Sequence, residues 1–434
     1  MAHSLAELQS GKLLGTKRLK LACGLATFPQ EILSLADTLE VLDLSDNNLT
    51  ALPDNISQLK KLKVIFFERN HFVEFPVILK ELPLLSMIGF KSNKMIKVPE
   101  NAFPPLLRWL ILTNNKITKI PKSIGGCLFL QKCALAGNQI EELPVEMASC
   151  VNLELLRTSA NRLNSIPTWL FELPKLSWVA FGGNPCVAKP NLTTDIESFE
   201  WNDYTIEQLL GEGASGLIYK AHWNSQQKDL AIKVFKGDVT SDGLPEDEMA
   251  IAITAGIHDN LIHVLGKIKN HPEGKLVLLM KLISPSYVNL GSPPTLDTCT
   301  RDVFDKNSNI TANQLLKIAK SITSVCIQLH CNGINHGDLY AHNIMIDNTA
   351  DCILGDFGAA SFYDVNSPLA KNIERVEVRA FGCLLEDILS LVKERTLANG
   401  IEIKWRNLIN ACTKSTVELR LSFIEILEEL HKFQ

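Results

Sequence analysis

An asparagine recurs seven times in the first half of the chain, at intervals of 22 or 23 residues. Alternating apolar residues precede each copy, and in the first six copies a proline follows six residues later. Such alternation predicts a short strand with every second side chain turned inward. A buried asparagine can satisfy its amide with backbone groups of neighbouring repeats. Because no single repeat buries its own apolar face, such units are stable only as a stack. The asparagines are Asn47, Asn70, Asn93, Asn115, Asn138, Asn161 and Asn184.

These residues resemble the leucine-rich-repeat family. The resemblance implies an α/β leucine-rich-repeat solenoid over residues 1–187, with outward strand positions on a concave face that binds proteins. Phe66, Trp109 and Trp178 are large aromatic residues at such positions. We therefore expect a protein substrate or regulator to bind there, because buried aromatic anchors carry much of the energy of protein interfaces. The alternative is that the three rings pack laterally on adjacent strands.

The composition limits the remaining functions. A net charge of −5 over 434 residues offers no broad attraction to nucleic acid or to an acidic membrane. No apolar run is long enough to cross a bilayer, and the first residues lack the pattern of a secretory signal. The 11 cysteines are scattered without paired spacing. We therefore expect a cytoplasmic protein with no nucleic-acid partner and no membrane span.

The pattern of the chain changes after the last repeat. Residues 188–200 are polar and rich in turn-forming residues, which predicts a linker. Residues 201–434 show strand periodicity followed by long helical patterns, which predicts a separate domain.

A glycine-rich stretch opens this second domain with Gly211, Gly213 and Gly216. Alone, such a stretch is weak evidence for nucleotide binding. The residues that follow it have strand spacing, which favours a hairpin with its glycine tip over phosphates and argues against a dinucleotide-binding fold. Lys233 then lies in an otherwise apolar strand, where its charge needs an anionic partner.

The natural partners of this lysine are the phosphates of ATP and a carboxylate from a nearby helix. The helical stretch 245–257 offers Glu246, Asp247 and Glu248. We favour Glu248 because it heads the apolar part of the stretch.

Three oxygen-bearing side chains follow a predicted amphipathic helix at 312–330. Asp338 precedes Asn343 by five residues, and Asp356 stands directly before a Phe-Gly pair. Asp338 is suited to accept or orient an attacking hydroxyl, and Asn343 and Asp356 are hard ligands suited to Mg²⁺ on phosphates. This order, downstream of a glycine loop and a strand lysine, predicts phosphotransfer from ATP.

Together these residues resemble the eukaryotic-type protein kinase family, which implies an α+β two-lobed protein-kinase-like domain. The resemblance implies ATP and Mg²⁺ as cofactors, with Met280 as gatekeeper and Lys281 and Leu282 as the hinge that holds adenine. The catalytic residues would be Asp338, Lys233 and Glu248, and the metal ligands Asn343 and Asp356. The nucleotide-binding set would be Gly211, Glu212, Gly213, Ala214, Gly216, Leu217, Ala231, Lys233, Met280, Lys281 and Leu282.

The stretch from His336 to Asn343 resembles the catalytic loop of the family, and two of its residues depart from the family pattern. Gly337 stands where the family has an arginine, and Tyr340 stands where serine/threonine kinases have a lysine. Without that lysine, His342 is the nearby group that could help to stabilise the γ-phosphate. Without the arginine, the loop has no cation that could be neutralised by phosphorylation of the activation segment, the stretch between Gly358 and Glu377.

The activation segment also departs, since no Ala-Pro-Glu precedes Glu377, the residue that resembles the start of the central helix. Because Gly337 replaces the catalytic-loop arginine, we expect activity that does not need phosphorylation of this segment. Replacing Ser361, Tyr363 and Ser367 together should leave it largely intact.

Three functions follow from these patterns. The favoured one is an ATP-dependent protein kinase acting on Ser or Thr hydroxyls, with Tyr left open as an acceptor and the repeats as a substrate- or partner-binding module. A nucleotide-binding pseudokinase scaffold is the alternative, which Gly337 and Tyr340 favour. A small-molecule kinase is less favoured, although antibiotic phosphotransferases share the spacing of Asp338 and Asn343.

Overall fold

The structure is a computed structural model of the chain. It describes residues 3–187, 196–237, 239–240, 242–393 and 399–433. Contacts divide the chain into two compact units: Met1–Leu173 with Asn184–Cys186, and Pro174–Gly183 with Val187–Gln434. The limits 1–187, 188–200 and 201–434 remain a prediction, and residues 188–195 of the linker lie outside the described residues.

The first unit is built on a parallel sheet to which each repeat contributes one short strand. Within a strand, the central side chain points inward, as at Leu42 and Ile65, which pair in register and are fully buried. A short helix α1, Leu5–Gln9, precedes the sheet and begins with a capping box at Ser4 and Glu7. The strands are β1 Arg18–Lys20, β2 Val41–Asp43, β3 Val64–Phe66, β4 Met87–Gly89, β5 Trp109–Ile111, β6 Lys132–Ala134 and β7 Leu155–Arg157. The predicted repeat strands are present and pair in parallel, and the solenoid form remains a prediction.

The repeated asparagines are buried and bridge neighbouring repeats. Asn138 Oδ1 accepts a hydrogen bond from the Ile117 N–H at 3.1 Å, and its Nδ2 donates to the Leu112 and Leu135 carbonyls at 2.9 Å each. The same pattern recurs at Asn93 and Asn115. Each amide thus satisfies backbone groups that would cost about 1–3 kcal/mol apiece if left buried without a partner.

The second unit contains a six-stranded mixed sheet. In sheet order its strands are β10 Tyr204–Glu212, β11 Gly216–Trp223, β12 Lys228–Phe235, β14 Val277–Met280, β13 Val264–Lys269 and β9 Ser198–Glu200. The β13–β9 pair is parallel, and the other pairs are antiparallel. Tyr204, Ile232 and Leu279 belong to the apolar cluster on this sheet. The helix α2, Pro245–Thr254, follows β12 and starts on a proline, which suits the first turn of a helix.

The rest of the second unit is mainly helical. The helix α3, Ala312–Cys331, matches the predicted helix at 312–330 and begins with a capping box formed by Thr311 and Gln314. The other helices are α4 Ala370–Leu389, α5 Asn399–Cys412 and α6 Phe423–His431. The strands are β8 Trp178–Ala180, β15 Val288–Asn289, β16 Ile334–Asn335, β17 Ile344–Ile346, β18 Cys352–Leu354 and β19 Ser361–Phe362. The predicted helix start at Glu377 is wrong, because α4 begins seven residues earlier with Ile373 and Val376 on its buried side.

The three aromatic residues expected on an open binding face differ from one another. Trp178 is 1% exposed, so the prediction that it anchors a partner is wrong. Trp109 is partly exposed and lies under the Lys132 ammonium, 4.4 Å from the ring centroid. Phe66 is also partly exposed, and its ring occupies the space beside Gly89 that a Cβ there would need.

Candidate active site

The glycine stretch forms the tip of the β10–β11 hairpin. The Gly213 N–H donates to the Gly216 carbonyl at 2.9 Å and closes the turn. A Cβ added to Gly216 would lie 2.7 Å from the Val234 carbonyl oxygen, so this position requires glycine. Lys236 Nζ pairs with the Glu212 carboxylate at 2.6 Å and ties the hairpin to the end of β12. The predicted hairpin is therefore present.

Lys233 and Glu248 form an ion pair between β12 and α2, in which Lys233 Nζ donates to Glu248 Oε1. Both side chains are largely buried, at 13% and 5% exposure. Burial has the largest influence on the Glu248 carboxyl and raises its pKa. The charge of Lys233 opposes this shift, whereas the charge of Asp356 adds to it. Of the three acidic residues considered, Glu248 is the one that the structure pairs with the strand lysine.

Asp338 and Asn343 lie together in the loop between β16 and β17. Asn343 Nδ2 donates to both the carbonyl and Oδ2 of Asp338, each at 2.9 Å. These two hydrogen bonds fix the Asp338 carboxylate relative to its own backbone. The backbone carbonyl of Asn343 accepts a hydrogen bond from the Gly355 N–H at 3.0 Å, which brings the Asp356 region beside the loop.

Asp356 has a left-handed backbone with φ of 57°, a conformation that aspartate adopts more readily than most residues other than glycine. Its Oδ1 accepts from the Gly358 N–H at 3.0 Å. A Cβ built on Gly358 would lie 3.1 Å from that Oδ1 and 3.7 Å from Glu248 Oε2. The carboxylates of Asp356 and Glu248 therefore face the same space, although more than a hundred residues separate them in sequence.

The remaining members of the predicted nucleotide set differ in exposure. Ala231 and Met280 are buried partners in the β12–β14 pair. Lys281 is exposed, and its N–H donates to the His263 carbonyl at 2.9 Å. Leu282 and Leu217 are partly buried, whereas Glu212 and Ala214 are exposed in the hairpin tip.

Glu377 is a supporting residue whose contacts the sequence did not reveal. Its Oε1 accepts from the Gly337 N–H at 2.7 Å, and its Oε2 accepts from the His336 N–H at 3.1 Å. Burial alone would raise the pKa of this carboxyl, but His330, whose Nε2 is 2.9 Å from Oε2, acts together with His336 and the Gly337 N–H to hold the pKa below its ordinary value. A carboxylate on α4 thus holds the backbone directly before Asp338.

Asp302 was also missed, and it fixes His342. The Asp302 carboxylate accepts from the His342 N–H at 3.0 Å and contacts His342 Nδ1 at 2.7 Å. Burial alone would lower the pKa of His342, but Asp302, with smaller contributions from Asp338 and Asp356, raises it above its ordinary value. No short-range pattern links these residues, which lie 40 positions apart.

Ser361 is not available as a simple phosphorylation site. Its side chain is buried, and its Oγ accepts from the Phe181 and Gly182 N–H groups at 2.9 and 3.0 Å. The Tyr363 hydroxyl lies 2.7 Å from His330 Nδ1, and burial raises the pKa of this phenol. The proposed replacement of Ser361, Tyr363 and Ser367 together would therefore disturb packing as well as remove hydroxyls.

Separate substitutions resolve this ambiguity. Ser361→Ala is expected to destabilise the second unit by about 3 kcal/mol, because it leaves two buried N–H groups without an acceptor. Ser367→Ala is expected to change stability by no more than about 0.5 kcal/mol, as for most surface positions, and to leave activity intact. Thermal unfolding and phosphotransfer rates of the two variants test this. Loss of activity in a stably folded Ser367→Ala variant would contradict the prediction of phosphorylation-independent activity.

Comparison with known proteins agrees with this geometry. Residues 204–377 match the protein kinase domain family, and residues 38–59 and 106–127 match the Leucine Rich Repeat family. L-type lectin-domain containing receptor kinase V.7 of Arabidopsis thaliana is 30% identical over 164 residues, covering 36% of this chain and 23% of that protein. An L-type lectin-domain containing receptor kinase of Oryza sativa subsp. japonica is 30% identical over 168 residues, covering 38% and 23%. A probable serine/threonine-protein kinase, gdt4, of Dictyostelium discoideum is 26% identical over 174 residues, covering 39% and 10%.

These relatives bear on location and extent. The chain spans about a quarter or less of their length. The cytoplasmic location predicted from the sequence is contradicted, because relatives are named receptor kinases, and we withdraw it. Among the described residues, no helix combines the length and the apolar character that crossing a membrane requires.

The similar stretches fall on the elements described above. The kinase match begins at β10, the first strand of the glycine hairpin, and ends at Glu377 within α4. The two repeat matches fall in the first unit, around β2 and β5. Both predicted resemblances are confirmed: the chain contains leucine-rich repeats and a protein kinase domain.

Proposed function

We propose that the second unit transfers the γ-phosphoryl group of ATP to a Ser or Thr hydroxyl of a protein. A protein kinase domain implies ATP and a divalent metal ion. The observation that carries the proposal is the bonded pair of Asp338 and Asn343, with the Gly355 N–H joining that pair to the Asp356 turn. The pair supplies both a proton acceptor and an oxygen ligand within one loop.

Asn343 and Asp356 are our proposed ligands for Mg²⁺. Asn343 uses its amide nitrogen for both bonds to Asp338, and so its amide oxygen is suited to a cation. One carboxylate oxygen of Asp356 accepts a hydrogen bond from the Gly358 N–H. A single carboxylate is consistent with Mg²⁺, which commonly binds only one or two carboxylates of a protein. When bound, the ion would neutralise charge on the phosphates.

Lys233 and Asp338 have different roles in this proposal. Lys233, held by Glu248, would bind phosphate oxygens of the nucleotide, because its ammonium is nearly buried and needs anionic partners. The Asp338 carboxylate would orient the acceptor hydroxyl and take its proton. Positioning and electrostatic stabilisation would then supply most of the rate enhancement.

The repeats would recruit the protein substrate or a regulator. Leucine-rich repeats commonly present extended binding surfaces, and a tethered binding unit raises the effective concentration of its ligand at a neighbouring site. Phe66 and Trp109 are the aromatic residues that we propose for this contact, since both keep part of their surface exposed.

The pseudokinase alternative has one observation in its favour. The position where the resemblance expects a lysine is filled by Tyr340, which is 5% exposed and stacked between two other rings. Its ring therefore does not provide the cation that the lysine would bring to the γ-phosphate. The alternative predicts ATP binding without transfer.

A labelling assay separates these functions. The full chain would be incubated with γ-labelled ATP and Mg²⁺, together with a mixture of generic proteins or a panel of small hydroxyl compounds. We expect labelled phosphoserine or phosphothreonine in protein and none when a chelator removes the metal. ATP binding without label transfer would support a pseudokinase, label only in small compounds would support a small-molecule kinase, and phosphotyrosine would revise the acceptor.

A further inference from the structure

The segment Pro174–Gly183 belongs to the same compact unit as the catalytic loop. Trp178 in β8 stacks on Tyr340, with ring centroids 4.4 Å apart and planes 7° from parallel. Its Nε1 also donates to the Leu339 carbonyl at 3.2 Å. One buried indole therefore contacts both residues that directly follow Asp338.

The stack continues past Tyr340 toward Asn343. Tyr340 lies against the His342 ring, with centroids 5.0 Å apart, and His342 is held by Asp302. The four side chains thus form a continuous row from β8 to Asp302. This row fixes the chain between Asp338 and Asn343, the proposed base and the proposed metal ligand.

Backbone contacts of the same segment hold the loop before Asp338. Asn335 Nδ2 donates to the Val179 carbonyl at 2.9 Å. Gly337 approaches that carbonyl so closely that a Cβ would lie 2.5 Å from the oxygen. Gly337 and Tyr340, the two catalytic-loop departures from the family pattern, therefore both pack on β8.

The segment is also attached away from the loop. Arg420 Nη2 donates to the Pro174 carbonyl at 2.8 Å, and Arg379 Nη1 donates to Ser177 Oγ at 2.6 Å. Ser361 accepts from two N–H groups at the other end of the segment. Because it is bound at both ends, the segment can serve as a fixed support.

We propose that Trp178 is a positioning residue for phosphotransfer: through Tyr340 and Leu339 it holds the catalytic loop in the conformation that transfers phosphate. This inference rests on the proposed function. Its hydrogen bond and its ring stack are both with the catalytic loop, so its effect should fall on turnover rather than on ATP affinity. Misplacement of a reacting group by about 1 Å can cost about a hundredfold in rate.

The test compares Trp178→Leu and Trp178→Phe with Trp405→Phe in the full chain. Trp405 is a matched control because it is equally buried in the same unit and packs on Phe433 instead of the loop. We expect Trp178→Leu to lower kcat about a hundredfold with KM for ATP changed less than about twofold. Trp178→Phe retains a ring for stacking, so it should recover most of the rate. Trp405→Phe should leave kcat unchanged.

Hydrogen exchange of the amides of residues 337–343 gives a second readout that needs no turnover. Both Trp178 variants should exchange faster there, with the larger effect in Trp178→Leu and none in Trp405→Phe. Unchanged exchange and unchanged kcat in folded Trp178→Leu would overturn the inference, and if that variant does not fold, Trp178→Phe decides by the same criteria. A wild-type chain without transfer would refute the proposed function, and loop exchange would then decide the role of Trp178 alone.

Discussion

Asp338→Asn is expected to lower kcat about a thousandfold, because a positioned general base typically contributes a factor of about 10²–10⁴. The amide has nearly the shape of the carboxylate, but it can neither take the proton of the acceptor hydroxyl nor offer it a negative charge. Nucleotide affinity should change by no more than about twofold, since Asp338 faces the acceptor rather than the nucleotide in the proposed mechanism. Steady-state transfer rates and direct ATP titration measure the two effects separately.

Asp305→Asn provides a matched control for charge removal. Asp305 is an exposed aspartate of the same unit whose Oδ1 accepts from the Asn307 N–H at 2.7 Å. It should leave transfer unchanged. Wild-type rates in Asp338→Asn would refute its role as the base, whereas loss of ATP binding would mean that Asp338 supports the nucleotide site instead.

The parts of this molecule that the sequence predicted are those with short or regular spacing. The asparagine intervals predicted the buried amides, since each repeat presents the same backbone groups to the next. The five-residue step from Asp338 to Asn343 likewise lies within one loop, where chain geometry limits their separation. The hairpin of Gly213 and Gly216 followed from the strand spacing of the residues after it.

Contacts between distant residues escaped prediction because no spacing rule connects them. Trp178 and Leu339 are 161 residues apart, and the repeat pattern predicted an outward strand position for Trp178. Alternation predicts two faces of a strand, but it does not predict what covers the outer face. Trp178 was therefore expected to be exposed and to contact a partner protein, whereas in the structure it packs against the catalytic loop of the same chain.

Gly337 illustrates the same limit from the other direction. By comparison with the family pattern, this position lacks an arginine, which suggested that a function of that arginine is lost. In the structure it is a glycine that the backbone requires, with φ of 71° and close approach of the Val179 and Ala359 carbonyls. The backbone conformation, which the sequence did not reveal, explains the departure.

Gly337→Ala is accordingly expected to destabilise the second unit by about 4 kcal/mol. The left-handed conformation alone costs a non-glycine residue about 1–2 kcal/mol. The added Cβ would also lie 2.5 and 2.6 Å from two carbonyl oxygens, so the backbone must shift, and overpacking of this kind costs about 1–3 kcal/mol. Hydrogen exchange of slowly exchanging amides in α3 and α4 would measure the loss.

Gly274→Ala separates the two causes. Gly274 has φ of 66°, close to that of Gly337, but a Cβ there meets nothing within 4 Å. It should therefore lose only the conformational part, about 1–2 kcal/mol. Equal losses in the two variants would show that the approach of Val179 and Ala359 does not constrain position 337. A larger loss at Gly337 would mean that an arginine there is incompatible with β8 in its present position, because its side chain would have to pass through the same two carbonyls.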